Sequence, residues 1–186
     1  TCTDSDTEDV LCTQTADPYQ CTGYVLPTDA EWEYAKRSGS LFDFWTPSGG
    51  GNYTSNGCNG TEVINDYSGT PLPLIQEYAW YCGNNDNAYG ARGAKEVAQK
   101  LPNGFGLYDM HGNLWEWTAD WNGCAQPQSG INPFCAVISS KRIRRGGSWI
   151  GTPAYLRSSY RASYVPEDSG SKIGFRLALH QRRVSK

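Results

Sequence analysis

No stretch of this sequence approaches the roughly 18 consecutive apolar residues that a membrane-spanning helix needs, and the mean hydropathy is −0.60, which argues against such a helix. An excess of one charge is missing too: 16 Lys+Arg stand against 19 Asp+Glu, a formal net charge of −3. Basic residues cluster only at Lys141, Arg142, Arg144 and Arg145, so nucleic acid is a poor candidate partner. Histidine is scarce, and His111 and His180 lie too far apart to share a metal-ligand motif. The cysteines contain no CxxC pair, which argues against a zinc site.

What the chain does have is aromatic bulk: seven Trp, twelve Tyr and five Phe in 186 residues, with 21 Gly and 10 Pro. Such a composition builds one domain with a core and long ordered loops between short elements. Seven cysteines, Cys2, Cys12, Cys21, Cys58, Cys82, Cys124 and Cys135, are read as a disulfide framework from an oxidising compartment. The odd count leaves one thiol free or paired outside the chain, and the initial Thr1 implies removal of an upstream segment. Asn52-Tyr53-Thr54 and Asn59-Gly60-Thr61 fit the glycosylation sequon.

Residues 1–22 are polar and cysteine-bearing, a disulfide-pinned loop. At Thr28 the pattern changes, because Glu31 stands three residues on; this capping box, with Trp32, Ala35 and a stop at Gly39, predicts a helix of about three turns. Residues 38–70 read as a long loop that needs internal pairing, for which Cys58 and Cys82 are placed by position alone. Strand-like runs follow at Gly106-Leu107-Tyr108, Leu114-Trp115-Glu116-Trp117, Arg142-Ile143-Arg144-Arg145 and Ile173 to Leu179. Cys124 and Cys135 are close enough in sequence to close a local bridge. The expected class is α+β, poor in regular structure.

Four ordered segments then resemble the formylglycine-generating enzyme, or sulfatase-modifying factor, family: Gly23 to Ala35 around Leu26-Pro27-Thr28, Pro102 to Trp117 around Gly106-Leu107-Tyr108-Asp109-Met110-His111-Gly112-Asn113, Arg145-Gly146-Gly147-Ser148-Trp149, and Ile173-Gly174-Phe175-Arg176. Val25 stands where the family usually has Arg. The resemblance spans 23–179 and implies the family's C-type-lectin-like variant fold. Family domains carry a further N-terminal portion, so the resemblance implies a two-chain or processed particle whose upstream part holds the partner of the odd cysteine.

Active family members resemble copper oxidases with two cysteines just after the Arg-Gly-Gly-Ser segment. Those positions are Gly151 and Leu156 here, and neither side chain ligates Cu(I), so no copper is expected. A second branch uses a histidine-held iron that this chain does not supply alone. Ser148 as a nucleophile lacks a paired His, and a buried serine bonding its own turn is the competing reading. The resemblance implies structural Ca²⁺ at Asp109, Gly112, Leu114 and Glu116; the alternative is that Asp109 caps a turn and Glu116 pairs with an arginine. The family's second calcium site is not carried over at Ala79-Trp80-Tyr81. Lys172 replaces a family Asn that binds substrate backbone.

Residues 150–172 are rich in Tyr, Ser and Gly, the composition of adaptable binding loops, and occupy the region that changes in retroelement-diversified variable proteins of similar fold. The expected cleft comprises Ser148, Trp149, Tyr155, Tyr160, Tyr164 and Lys172. Arg157, Arg161 and Arg176 are expected to anchor carboxylates or carbonyls inside loops. The chain thus reads as a secreted, calcium-stabilised pseudoenzyme that binds a protein or small-molecule ligand; a tailoring oxidoreductase and a structural subunit of an extracellular assembly are the alternatives.

Overall fold

The helix forms where its cap predicts. In the computed structural model, which describes residues 17–20, 23–47, 57–58, 63–65, 71–85, 92–124 and 129–180, helix α1 runs Asp29–Arg37. Thr28 Oγ1 accepts from Glu31 N at 3.2 Å, and Glu31 Oε2 accepts from Thr28 N at 2.9 Å, the reciprocal capping box. Ser38 ends the helix in the left-handed conformation, its N–H donating to Tyr34 O. Asp29 and Glu31 in the first turn, and Lys36 and Arg37 in the last, complement the helix dipole.

The strands are short: β1 (Gly23–Val25), β2 (Val63–Asn65), β3 (Pro71–Leu74), β4 (Ala79–Trp80), β5 (His111–Gly112), β6 (Trp115–Trp121), β7 (Arg142–Arg145), β8 (Ala162–Tyr164), β9 (Ile173–Phe175) and β10 (Ala178–His180); α1 packs on β6 and β7. The main sheet has the order β8-β7-β6-β9, with β9 parallel to β6 and the other pairs antiparallel. β1 pairs with β10, β2 with β3, and β4 with β5. Among the described residues, one α-helix with short strands and loops is the α+β, loop-rich fold the sequence predicts.

Alternation along β7 divides its residues between two faces. Ile143 and Arg145 are buried on the side of α1, while Arg142 and Arg144 lie on rings of the opposite face, Trp121 at 4.1 Å and Trp115 at 4.8 Å. Phe44, Ile75, Ala79, Tyr81 and Leu156 form an apolar core, with Cys82 packed against it. Beside it lies a charged core. Arg145 is fully buried and donates to Asp29, to Glu33 Oε2 at 2.7 Å and to the carbonyls of Ser158 and Tyr160, both at 3.0 Å. Arg161 also meets Asp29 at 2.7 Å.

Three expectations about elements need correction. Gly106-Leu107-Tyr108 is not a strand: Asn103 Oδ1 accepts from Phe105 N and Leu107 N, and its Nδ2 donates to Ala35 O and Lys36 O. That side chain folds the loop on itself and docks it on the end of α1, leaving no ladder partner. The C-terminal run divides into β9 and β10, joined to different sheets, because Arg176 between them turns to Glu116. The stretch 38–70, read as loop, contains β2.

The two predicted bridges are formed, Cys58 to Cys82 and Cys124 to Cys135, with Cα–Cα distances of 5.1 and 6.0 Å. Cys2, Cys12, Cys21 and both sequon asparagines, Asn52 and Asn59, lie outside the described residues, as does all but 17–20 of the expected 1–22 loop.

Candidate functional site

A cleft of 610 Å³ opens over the β8-β7-β6-β9 sheet and the loops following β7 and β8. The sheet contributes Trp115, Arg144, Tyr164 and Ile173; the loops contribute Ser148, Gly151, Tyr155, Tyr160, Asp168 and Lys172. Gly147 makes the entry into this loop possible. It has φ +79°, and a Cβ there would lie 3.0 Å from Leu156 Cδ1 and 3.1 Å from Tyr155 O. The turn closes with Gly151 N donating to Ser148 O at 2.8 Å.

Rings line the cleft as a connected set. Tyr155 and Tyr160 meet edge to face at 5.1 Å, and Trp115 lies 6.3 and 6.0 Å from them, separations typical of favourable aromatic pairs. Tyr155 and Tyr164 are 42% and 43% exposed while Trp115 is buried, so the tyrosines present surface and the indole forms the floor.

Of the six residues expected in the cleft, Ser148, Tyr155, Tyr160, Tyr164 and Lys172 line it. Trp149 does not. Its backbone N donates to Asn113 O at 2.7 Å and its Nε1 to Ser171 O at 3.2 Å, which ties the loop down from outside the cleft. The floor is the buried Trp115. Arg144 and Asp168 were missed as well; the alternation of Arg142-Ile143-Arg144-Arg145 carries the signal for Arg144, since one arginine parity must face away from α1.

The two positions that the family resemblance implies for copper fit no copper. Gly151 borders the cleft with no side chain, and its O accepts from Cys82 N at 3.1 Å. Leu156 is fully buried in the apolar core. Its carbonyl is the acceptor for Lys36 Nζ at 2.7 Å and His111 Nδ1 at 3.0 Å. Burial, reinforced by Arg145, pushes the Lys36 ammonium well below its ordinary range, and burial with Lys36 nearby does the same to His111. These groups support the Leu156 turn from within and are not exposed to the cleft.

The residues expected to hold calcium divide. Asp109 Oδ2 accepts from Ala98 N at 2.8 Å, but its Oδ1 is buried with no hydrogen-bond partner. Burial raises the Asp109 carboxyl above its usual range, against the Ala98 N–H and Arg176, which lower it. Glu116 Oε2 accepts from Trp32 Nε1 at 2.7 Å and Arg176 Nε at 2.5 Å, and Oε1 accepts from Arg176 Nη2 at 2.6 Å. A carboxylate has about four acceptor sites, so Oε1 retains one. Gly112 holds the turn between them; at φ +79° a Cβ would come within 2.1 Å of Trp80 O. The fit to calcium is therefore partial: a bare Asp109 oxygen and one remaining acceptor site on Glu116. No group of three or more His, Cys, Asp or Glu suited to a metal occurs among the described residues.

The expected arginine anchors are in place: Arg157 Nε donates to Ala154 O, Arg161 pairs with Asp29, and Arg176 pairs with Glu116 and donates to Tyr108 O.

Comparison with known proteins bears on the family and the fold. Formylglycine-generating enzyme of Bos taurus is 34% identical over 167 residues, covering 85% of this chain and 40% of that protein. Among solved structures, Treponema denticola variable protein 1 is 31% identical with a TM-score of 0.63, covering 87% of this chain and 49% of that one. PvdO from Pseudomonas aeruginosa is 30% identical with a TM-score of 0.60, covering 84% and 52%. The chain thus spans about two fifths to one half of these relatives. Residues 6–181 match the sulfatase-modifying factor enzyme 1-like domain, and the chain belongs to that family.

Proposed function

We propose that this chain is a non-catalytic, extracytoplasmic binding domain of the family, which uses the Trp115, Tyr155, Tyr160 and Tyr164 cleft to hold a ring-bearing ligand or a partner's side chain. The carrying observation is the pair Gly151 and Leu156. A hydrogen and a core-buried isobutyl group stand where the resemblance implies thiolates, and neither binds Cu(I). A cleft of 610 Å³ walled by rings is of the size and character of a ligand site. Two disulfides support an oxidising compartment.

Structural calcium is part of this proposal. Asp109 Oδ1 and Glu116 Oε1, with the carbonyls of Gly112 and Leu114, would hold it, and it would fix the loop behind β6 without taking part in chemistry. The binding reading is tested by ligand-observed NMR with neutral indole and phenyl probes. Binding to the native chain at millimolar probe, lost in a Tyr155→Ala/Tyr160→Ala variant of unchanged melting temperature, is expected. Equal binding by the variant would refute the cleft as the site.

A further inference from the structure

We propose that the cleft selects ligands in which a carboxylate stands beside an aryl or indolyl ring, with Arg144 as the anion receptor; this rests on the cleft being a binding site.

The three arginines of β7 differ in what they hold. Arg145 is saturated by Asp29, Glu33 and two carbonyls. Arg142 donates to Ala119 O at 2.5 Å and lies on Trp121. Arg144, lining the cleft, has its guanidinium carbon 4.8 Å from the Trp115 ring and 4.8 Å from the Tyr164 ring. Its Nε is buried without a hydrogen-bond partner. The rings thus hold this guanidinium in place with its Nε unpaired, and Asp168 is the carboxylate whose charge acts on it.

Charge selects the sign of the ligand. Arg144 and Lys172 line the cleft against a single carboxylate, Asp168, whose Oδ1 accepts from Gly170 N at 3.2 Å. A Trp and Tyr cage alone would also suit a quaternary ammonium, but two cations in the wall repel one. Shape selects the class of anion. Packing against two rings fixes the plane of the guanidinium, and a fixed, planar fork matches a planar carboxylate in two parallel hydrogen bonds. The Tyr155 and Tyr160 pair supplies ring surface for the attached aryl group.

The experiment is a calorimetric titration of the full chain with four probes: indole-3-acetate, indole-3-acetamide, a tripeptide ending in Trp with a free carboxylate, and the same tripeptide amidated. Acid is expected to bind about tenfold or more tightly than amide, a difference of about 1.4 kcal/mol, and whichever format shows the larger preference identifies free acid or chain terminus as the source. Arg144→Gln is expected to bring the acid-to-amide ratio near one, with its fold certified by an unchanged melting temperature; Arg144→Lys is expected to restore part of the preference. Equal binding of acid and amide by the native chain, or a preference that survives Arg144→Gln, would overturn the proposal and leave the cleft standing as a neutral site. Absence of binding by all four probes would overturn both.

Discussion

At the scale of single residues, this protein places ionisable groups where a small domain ordinarily places leucines. Asp120 illustrates the consequence. Burial raises its carboxyl to about 6, with Asp29 pushing the same way, although it accepts from Asp29 N at 2.7 Å and Cys135 N at 2.9 Å. The folded state therefore binds this proton more tightly than the unfolded state, and stability from this group falls as pH rises from about 4 to about 6. Urea denaturation across that pH window is expected to show a smaller loss of stability in Asp120→Asn than in the native chain, by about 2–3 kcal/mol at most. Arg145 makes the opposite kind of prediction. Replacing it by Met leaves Asp29 and Glu33 without their buried cation, and urea denaturation is expected to show a loss of about 3–5 kcal/mol. A loss under 1 kcal/mol would mean that the carboxylates find other partners.

At the scale of elements, legibility depended on how local the determinants are. Helix α1 could be read because Thr28 and Glu31, four residues of chain, carry the whole capping box; Thr28→Ala is expected to cost about 1 kcal/mol in thermal or urea unfolding. The Cys124 to Cys135 bridge was legible for the same reason. Removing it with Cys124→Ser/Cys135→Ser is expected to cost about 2–3 kcal/mol, from loop entropy over a separation of 11 residues. The Gly106 to Tyr108 segment could not be read locally, since its conformation is fixed by Asn103 reaching the carbonyls of Ala35 and Lys36, 68 and 67 residues away. Trp115 and Trp149 are alike by composition. Only the register of β6 against β7, with Glu116 opposite Arg145 and Trp117 opposite Arg144, decides which of the two faces the cleft.

At the scale of the whole molecule, the sheet, the charged core and the cleft form one arrangement. β7 carries Arg145 inward to tie α1 to the loop at Ser158 and Tyr160, and Arg144 outward to the rings. The tyrosine-rich loop was recognisable from composition because rings with small polar neighbours are what a binding surface uses. Arg144 and Asp168 were not, because a charge has no role until its neighbours are known. If calcium occupies the Asp109 and Glu116 turn, Ca²⁺ is expected to raise the melting temperature and chelation to lower it, with the difference abolished in Asp109→Ala. The binding reading depends most directly on Gly151 and Leu156, which stand where the family resemblance implies copper thiolates. Its test is dioxygen consumption by the purified chain loaded with one equivalent of Cu(I) and given a thiol peptide. The predicted rate is that of the same Cu(I) and peptide without protein; protein-dependent turnover with aldehyde formation on the peptide would contradict it.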